Sequence, residues 1–333
     1  MNDFELLSEK IKEAKNIVIS SHVGPDGDAI GSSLGLYHYL KNIGKEVTVI
    51  VPNEFPAFIS WLKDSDKIVL HNKEKEKAEQ LAKQADLIFS LDYNDTKRVA
   101  DFQTALESAT AYKVLIDHHL GVPTWPDLNL SVVGASSTCE LVFDVLFHLE
   151  KESLGFLTEE IAYALYTGLL TDTGNFQYSA TTPKVHKIAA YLLATGLQPD
   201  FVHNKVNNSF SENRLKFFGY CISEKLKFVK EHQLAYVFIT TDELQKYNIQ
   251  TGGTEGLVNE PMKIEDVEIS ALFKEDKDKI KISFRSKKNI DVSTFAKTFF
   301  DGGGHRNAAG GVSFLSLKET EEKFLNHLSN YKF

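Results

Sequence analysis

Two cysteines in 333 residues exclude a disulfide framework as the basis of the fold. Cys139 and Cys221 lie far apart, each in an apolar, helix-like stretch without a second thiol nearby, so a thiolate zinc cluster is excluded too. Both are expected to be buried core residues. Any bound metal is then left to histidine nitrogen and carboxylate oxygen, a donor set suited to Mn²⁺ and Mg²⁺. No apolar run approaches the roughly 20 residues that cross a bilayer, and no long Pro, Gly or Ser tract or internal repeat interrupts the chain. The opening residues, MNDFELLSEKIKEAKNIVI, mix acids and bases and do not read as a signal peptide. A cytoplasmic protein with no membrane partner is expected. Positive charge is also in short supply: 37 Lys and Arg against 46 Asp and Glu give a formal net charge of −9. That argues against an extended grip on duplex nucleic acid, which needs many cations opposite phosphates. Small anionic substrates remain open, because divalent ions held by carboxylates reverse the local sign.

What is present is an ordinary globular composition, 42% hydrophobic and 25% charged, in a chain long enough for about two domains. A short amphipathic helix over 3–15 leads into the apolar run 16–21, which stops at His22-Val23-Gly24-Pro25-Asp26. A helix over 28–43, strands at 47–51, 67–70, 87–91 and 113–116, and a Lys/Glu-rich helix over 73–84 continue the alternation. Strands alternating with helices predict an α/β fold with a parallel sheet. Helical patterns then cover 136–150, 158–171, 184–195 and 199–228. From 233 the texture changes to strands at 234–239, 267–273 and 279–285, with a helix over 317–330, which predicts a smaller α+β domain. The expected division is residues 1–195 as a catalytic domain, 196–230 as a helical linker and 231–333 as a substrate-binding domain.

In parallel sheets of this kind, ligands bind beyond the carboxyl ends of the strands. His22, Asp92 and Asp117 each follow an apolar strand at that end. His22, Asp26 and Asp28 share a tight turn bent by Gly24, Pro25 and Gly27. The plain alternative for Asp28 is the N-cap of the following helix; for Asp92 it is a strand-end turn. Asp117-His118-His119 puts one acid and two imidazoles directly after a buried strand. Asp172 ends a helix, where the macrodipole disfavours an acid unless a cation is near, although an Asx-type turn before Gly174 also accounts for it. Such an inventory suits two divalent ions about 3.5–4 Å apart that clamp an in-line displacement at phosphorus. A serine hydrolase is less consistent with the chain, which lacks the G-x-S-x-G elbow.

These N-terminal motifs together resemble the DHH phosphoesterase superfamily, and Gly302-Gly303-Gly304-His305 resembles its DHHA1 subgroup, so that the similarity spans nearly the whole chain. Within that group the chain resembles the bacterial oligoribonucleases that degrade very short RNAs and remove the 3′-phosphate of 3′-phosphoadenosine 5′-phosphate. The resemblance implies an N-terminal parallel-sheet DHH domain joined by a helical linker to the DHHA1 domain. It also implies two divalent ions, Mn²⁺ by family habit with Mg²⁺ open to the same donors. His22, Asp26 and Asp92 would bind one ion, and Asp28, Asp92, His118 and Asp172 the other, with Asp92 bridging. His119 would face the scissile phosphate, Asp117 would orient the histidines, and Arg285, Gly302, Gly303, Gly304 and His305 would bind substrate.

Taken without the resemblance, the glycine triplet also reads as a turn before a strand, and Arg285-Ser286-Lys287-Lys288 as a solvated strand end. Arg285-Ser286-Lys287 is similar to the substrate motif of family II pyrophosphatases, but the neighbouring glycine-rich motif argues against that family. Short single-stranded RNA or a small nucleotide is the expected substrate. A cyclic-dinucleotide phosphodiesterase and a catalytically inactive nucleotide sensor are the competing readings. Phe176, Tyr178, Phe210, Phe217 and Phe218 are candidates for base stacking, although most are expected in the core.

Overall fold

The computed structural model describes residues 2–121, 123–250, 252–331 and 333. The chain divides into two compact units, Met1–Ser209 and Phe210–Phe333. The first carries β1 (Asn16–Ser20), β2 (Glu46–Val51), β3 (Val69–Leu70), β4 (Leu87–Leu91), β5 (Tyr112–Ile116) and β6 (Leu128–Asn129), joined in the order β3-β2-β1-β4-β5-β6. Every pairing in this sheet is parallel. Its helices are α1 (Asp3–Glu13), α2 (Gly27–Asn42), α3 (Lys75–Gln84), α4 (Gln103–Ser108), α5 (Thr138–Leu149), α6 (Glu159–Asp172), α7 (Pro183–Leu193) and α8 (Pro199–Asn207).

The strands are apolar on both faces because helices cover both. Ile17, Ile19, Val49, Val51, Leu87, Phe89, Val114 and Ile116 pack with residues of α2, α5 and α6. Val18, Ile50 and Ile88 instead join Ala78 and Ala82 of α3 and Leu106 of α4 in a second core. α2 is buried from Gly27 to Leu40, so the helix that carries Asp28 is fixed by packing on all sides.

The second unit has α9 (Glu212–Tyr220), β7 (Lys227–Val229), β8 (Leu234–Ile239), α10 (Thr241–Lys246), β9 (Ile269–Asp276), β10 (Lys279–Ser286), α11 (Val292–Phe299), β11 (Gly303–His305), β12 (Ala308–Ser313) and α12 (Leu317–Asn330). Its sheet runs β11-β12-β10-β9-β8-β7, with β8–β9 parallel and the other pairs antiparallel. One face buries Phe273 and Phe284 against Phe295, Phe300 and Phe324. Each of these side chains contributes about 1.5–3 kcal/mol on burial. The other face packs Val237, Ile239 and Leu272 on Phe217, Phe218 and Cys221.

The helical pattern expected over 199–228 is broken. α8 ends at Asn207, Ser211 caps α9 by accepting from the Arg214 amide, and the division between units falls between Ser209 and Phe210. The two serines there offer the backbone side-chain partners that compete with a continuous helix. Strands β6, β7 and β11 were not foreseen; each has only two or three residues and too little alternation to register. Both cysteines are buried, as expected. Phe217 and Phe218 are core residues, Phe176 packs beside Tyr166 and His186, and Tyr178 is exposed. Phe210 carries the Arg214 guanidinium 3.6 Å above its ring.

One charged group secures α5 to α7. Lys184 Nζ meets Glu140 Oε1 at 2.9 Å and also pairs with Asp144. Burial raises the Glu140 pKa, but the Ser136 amide and the Lys184 ammonium outweigh it and hold the carboxyl below its usual value. For Asp144, burial wins and the pKa is raised. Replacing Lys184 with Met leaves two carboxylates one helical turn apart without their shared cation. The expected loss is about 1–2 kcal/mol at neutral pH, below the value for a fully buried pair because half of the lysine is exposed. A depressed carboxyl contributes stability above its unfolded pKa and loses it as pH falls, so the deficit of the variant should narrow toward about pH 4. Urea midpoints of parent and variant across that range check this. A deficit independent of pH would rule the charge account out.

Candidate metal centre

β1 delivers His22 to the carboxyl edge of the sheet. Ser21 Oγ donates to the Leu91 carbonyl at 2.9 Å, which ties this exit to β4. His22 Nδ1 lies 3.0 Å from the Val23 carbonyl, and Nε2 lies 3.3 Å from Asp92 Oδ2. A ring nitrogen held by a carbonyl fixes the tautomer and leaves the other nitrogen to act as a ligand.

The N-cap of α2 is Asp26, not Asp28. Asp26 Oδ1 accepts from the amides of Asp28 and Ala29 at 3.0 and 3.1 Å. Asp28 is wholly buried in the first turn of α2, and its two oxygens accept from the Thr138 and Cys139 amides at 2.6 and 2.9 Å. Those amides open α5, where unpaired N–H groups and the macrodipole favour an anion. The capping alternative for Asp28 is therefore incorrect. The short turn places Asp26 one step before the helix, where its carboxylate can reach back over the open amides.

Asp92 occupies the middle. Its backbone is left-handed, φ 68°, a conformation that Asp tolerates better than most residues. Its amide continues the ladder by donating to the Ile116 carbonyl at 3.1 Å. Oδ2 faces His22, whereas Oδ1 lies 3.4 Å from His118 Nε2 and accepts from Thr138 Oγ1 at 3.0 Å. β5 supplies the next residues. His118 Nδ1 lies 3.2 Å from the Ala135 carbonyl, which turns Nε2 toward Asp92, Asp28 at 3.8 Å and Asp172 at 3.3 Å. Asp172 is the last residue of α6 and reaches the cluster through that contact with His118. His119 Nδ1 donates to Asp117 Oδ1 at 2.7 Å. Asp117 is fully buried, and its Oδ2 has no hydrogen-bond partner among the described residues.

The cluster carries more negative charge than its imidazoles can offset. Burial and the Asp92 charge push Asp28 up to about 7, and burial with Asp28 beside it raises Asp172 well above the carboxylate range. Burial disfavours a charged His118, yet Asp92, Asp172 and Asp28 together hold its pKa up to about 11. Asp92 is itself buried, but His118, His22 and His119 keep it far below its usual value. Two sets of donor atoms converge within 4.8 Å: His22, Asp26 and Asp92, and Asp28, Asp92 and His118. Asp92 belongs to both. Oriented Nε2 atoms, buried oxygen donors and an excess of negative charge fit hard or borderline divalent cations. Asp117 and His119 also come near Asp92. Their mutual hydrogen bond makes them a carboxylate–imidazole pair.

In the second unit, Arg285 pairs with Ala308 across β10–β12, and His305 pairs with Ala308 across β11–β12. Directly opposed residues share a face, so Arg285 and His305 flank one small side chain. Ser270, opposite Arg285 on β9, has a buried hydroxyl without a hydrogen-bond partner among the described residues. The glycine triplet begins a strand and is not a bare turn. A Cβ on Gly302 would lie 2.0 Å from the Gly310 carbonyl oxygen, and Gly304 has φ 136° with Ala308 O in the way. Two of the three glycines are thus required by the hairpin itself, and only Gly303 has open space beside it.

Sequence reasoning passed over Thr138, whose hydroxyl and amide hold Asp92 and Asp28. The available signal was Ser137-Thr138-Cys139-Glu140, a helix-start pattern.

Residues 16–169 match the model of the DHH family, N-terminal domain, and residues 231–331 match the DHHA1 domain. The chain belongs to the DHH/DHHA1 phosphoesterase family. It is 31% identical to a probable bifunctional oligoribonuclease and PAP phosphatase NrnA of Streptococcus mutans, over 97% of both chains. The corresponding protein of Thermus thermophilus is 29% identical over 96% of this chain and 91% of its own. Among solved structures, an exopolyphosphatase-related protein from Bacteroides fragilis superposes with TM-score 0.94 at 38% identity, covering 99% of this chain and 96% of that one. The DHH and DHHA1 segments fall in the first and second units respectively.

Proposed function

We propose that this DHH/DHHA1 protein hydrolyses short oligoribonucleotides, dinucleotides included, to 5′-mononucleotides and converts 3′-phosphoadenosine 5′-phosphate to AMP. The observation that carries the reading is Asp92, whose two oxygens face His22 and His118 separately and so can serve two cations at once. The NrnA relatives, similar over nearly the full chain, supply the substrate class. In this reading His22, Asp26 and Asp92 hold one ion, and Asp28, Asp92, His118 and Asp172 hold the other, Mn²⁺ being favoured over Mg²⁺ by the presence of imidazole. When bound, such ions supply Lewis-acid polarisation of a phosphoryl oxygen and acidify water.

The chain's own residues do the rest. Asp117 fixes the His119 tautomer with Nδ1–H directed at the carboxylate. We assign His119 Nε2 to a phosphoryl or leaving-group oxygen. Water oxygen bonds to phosphorus and gives up a proton, the bond from phosphorus to the 3′-oxygen of the leaving 5′-nucleotide breaks, and that oxygen takes up a proton. Arg285, Gly302, Gly303, Gly304 and His305 are assigned to anionic groups of the substrate; for Gly302 and Gly304 the hairpin already accounts for the residue type. The proposed division of labour keeps residues 1–195 as the catalytic domain, 196–230 as the linker and 231–333 as the substrate-binding domain. No described helix is long and apolar enough to cross a membrane; a cytoplasmic location is part of the proposed reading.

The test is turnover by the full chain with Mn²⁺ on four substrates: 5′-phosphorylated diadenylate, 3′-phosphoadenosine 5′-phosphate, cyclic di-AMP and pyrophosphate. Rapid release from the first two, with the others slower by about 100-fold or more, is expected from a site selecting among phosphoesters by its contacts. Preferential cleavage of cyclic di-AMP or pyrophosphate would overturn the assignment.

A further inference from the structure

The segment after β4 carries an arginine that the metal-site motifs do not include. Asp95 caps a short 3₁₀ turn by accepting from the Lys97 amide at 2.9 Å. The turn is broken at Ala100, which adopts φ 49° and ψ −134°, a conformation natural to glycine and strained for alanine. Its surroundings impose the strain. Val99 and Phe102 are fully buried, Thr96 Oγ1 donates to Glu107 at 2.6 Å, and Trp125 Nε1 donates to the Asn94 carbonyl at 3.0 Å.

Arg98 is held just before that strained residue. Its carbonyl accepts the Val23 amide at 2.7 Å, a bond to the residue adjoining His22. The arginine backbone is therefore fastened to the loop bearing the first predicted ligands. The side chain is half-buried, and its guanidinium forms no hydrogen bond or ion pair among the described residues. A guanidinium carried on a strained backbone that is bonded to the His22 loop, and paired to none of the carboxylates, offers its planar fork of donors to an incoming anion.

We infer that Arg98 binds a non-bridging oxygen of the substrate's reacting phosphate on the His22 side of the centre. The inference rests on the phosphoesterase reading above. There the guanidinium meets charge that grows on the phosphoryl oxygens as the bond to the leaving group breaks.

Full-length Arg98→Met and Arg98→Lys proteins are compared with the parent, all loaded with Mn²⁺. The main-chain bond to Val23 survives both changes. Three quantities are measured: kcat and KM on 3′-phosphoadenosine 5′-phosphate, Mn²⁺ stoichiometry, and the calorimetric affinity for inorganic phosphate. Arg98→Met should lose about 100-fold in kcat/KM and about tenfold in phosphate affinity, with Mn²⁺ stoichiometry and melting temperature unchanged. Arg98→Lys should recover part of both, because it restores the charge without the fork. Phosphate affinity within twofold of the parent overturns the assignment, as does loss of Mn²⁺ in step with activity, which would make Arg98 a support for the ligand loop. If the parent hydrolyses neither short RNA nor 3′-phosphoadenosine 5′-phosphate, the functional reading fails by itself, and the phosphate titration still decides the role of Arg98.

Discussion

Asp92→Asn is expected to lower phosphoester turnover by about three orders of magnitude or more, with a melting temperature within a few degrees of the parent. Asparagine is the informative substitution because position 92 has φ 68°. Asn tolerates that backbone almost as well as Asp, whereas Ala would add strain to the effect of the lost carboxylate. The Asn carbonyl can still accept from Thr138 Oγ1, so the link to α5 persists. Two electrostatic changes oppose each other. Attraction to His22 and His118 is lost, and repulsion of Asp28 is relieved. Activity should collapse because one residue serves both donor sets, so no neighbouring carboxylate can take over. Steady-state rates at saturating Mn²⁺, beside a circular dichroism melt, measure both quantities. Undiminished turnover would remove the basis for a shared bridging ligand.

The residues of the first unit were legible wherever a strand announced itself. Asn16–Ser20, Leu87–Leu91 and Tyr112–Ile116 are short apolar runs that stop abruptly. A polar residue directly after such a run in an α/β chain stands at the carboxyl edge of the sheet. That inference identified His22, Asp92 and Asp117 without any structure. It did not anticipate that Asp26, and not Asp28, caps α2. The outcome depends on Thr138 and Cys139, whose hydrogen bonds to Asp28 span 110 and 111 residues. Arg98 was hidden for the same reason. Its position follows from a backbone bond to Val23, far away in sequence, and nothing in Thr96-Lys97-Arg98-Val99 distinguishes it from a solvated turn. In the second unit, Gly302 to Gly304 read as substrate-binding glycines or as a turn before a strand, because periodicity cannot reveal that Gly310 and Ala308 crowd against Gly302 and Gly304. Local pattern located the ends of elements, and contacts distant in sequence decided what each end does.

Removing divalent metal should expose the electrostatic cost of the centre directly. In a protein stripped with chelator, Asp28, Asp92 and Asp172 have the imidazoles as their nearest counter-charges, and burial raises both Asp28 and Asp172. Cations that bind the folded site and not the unfolded chain stabilise by mass action, about 2.7 kcal/mol at a hundredfold excess over Kd. For a unit of this size that corresponds to a rise in melting temperature of roughly 5–10 °C on adding Mn²⁺. Asp172→Asn separates a metal site from an ordinary polar cluster, because it should act with opposite sign in the two states. Without metal it relieves repulsion and should melt at or above the parent. With Mn²⁺ it lacks a donor, so its rise should be less than half of the parent's. Thermal melts of both proteins with and without Mn²⁺ give the four values needed. A parent that melts at the same temperature in chelator and in excess Mn²⁺ would show that the acidic cluster is not a cation site. Equal shifts in parent and variant would remove Asp172 from the ligand set while leaving Asp92 and the remaining donors in place.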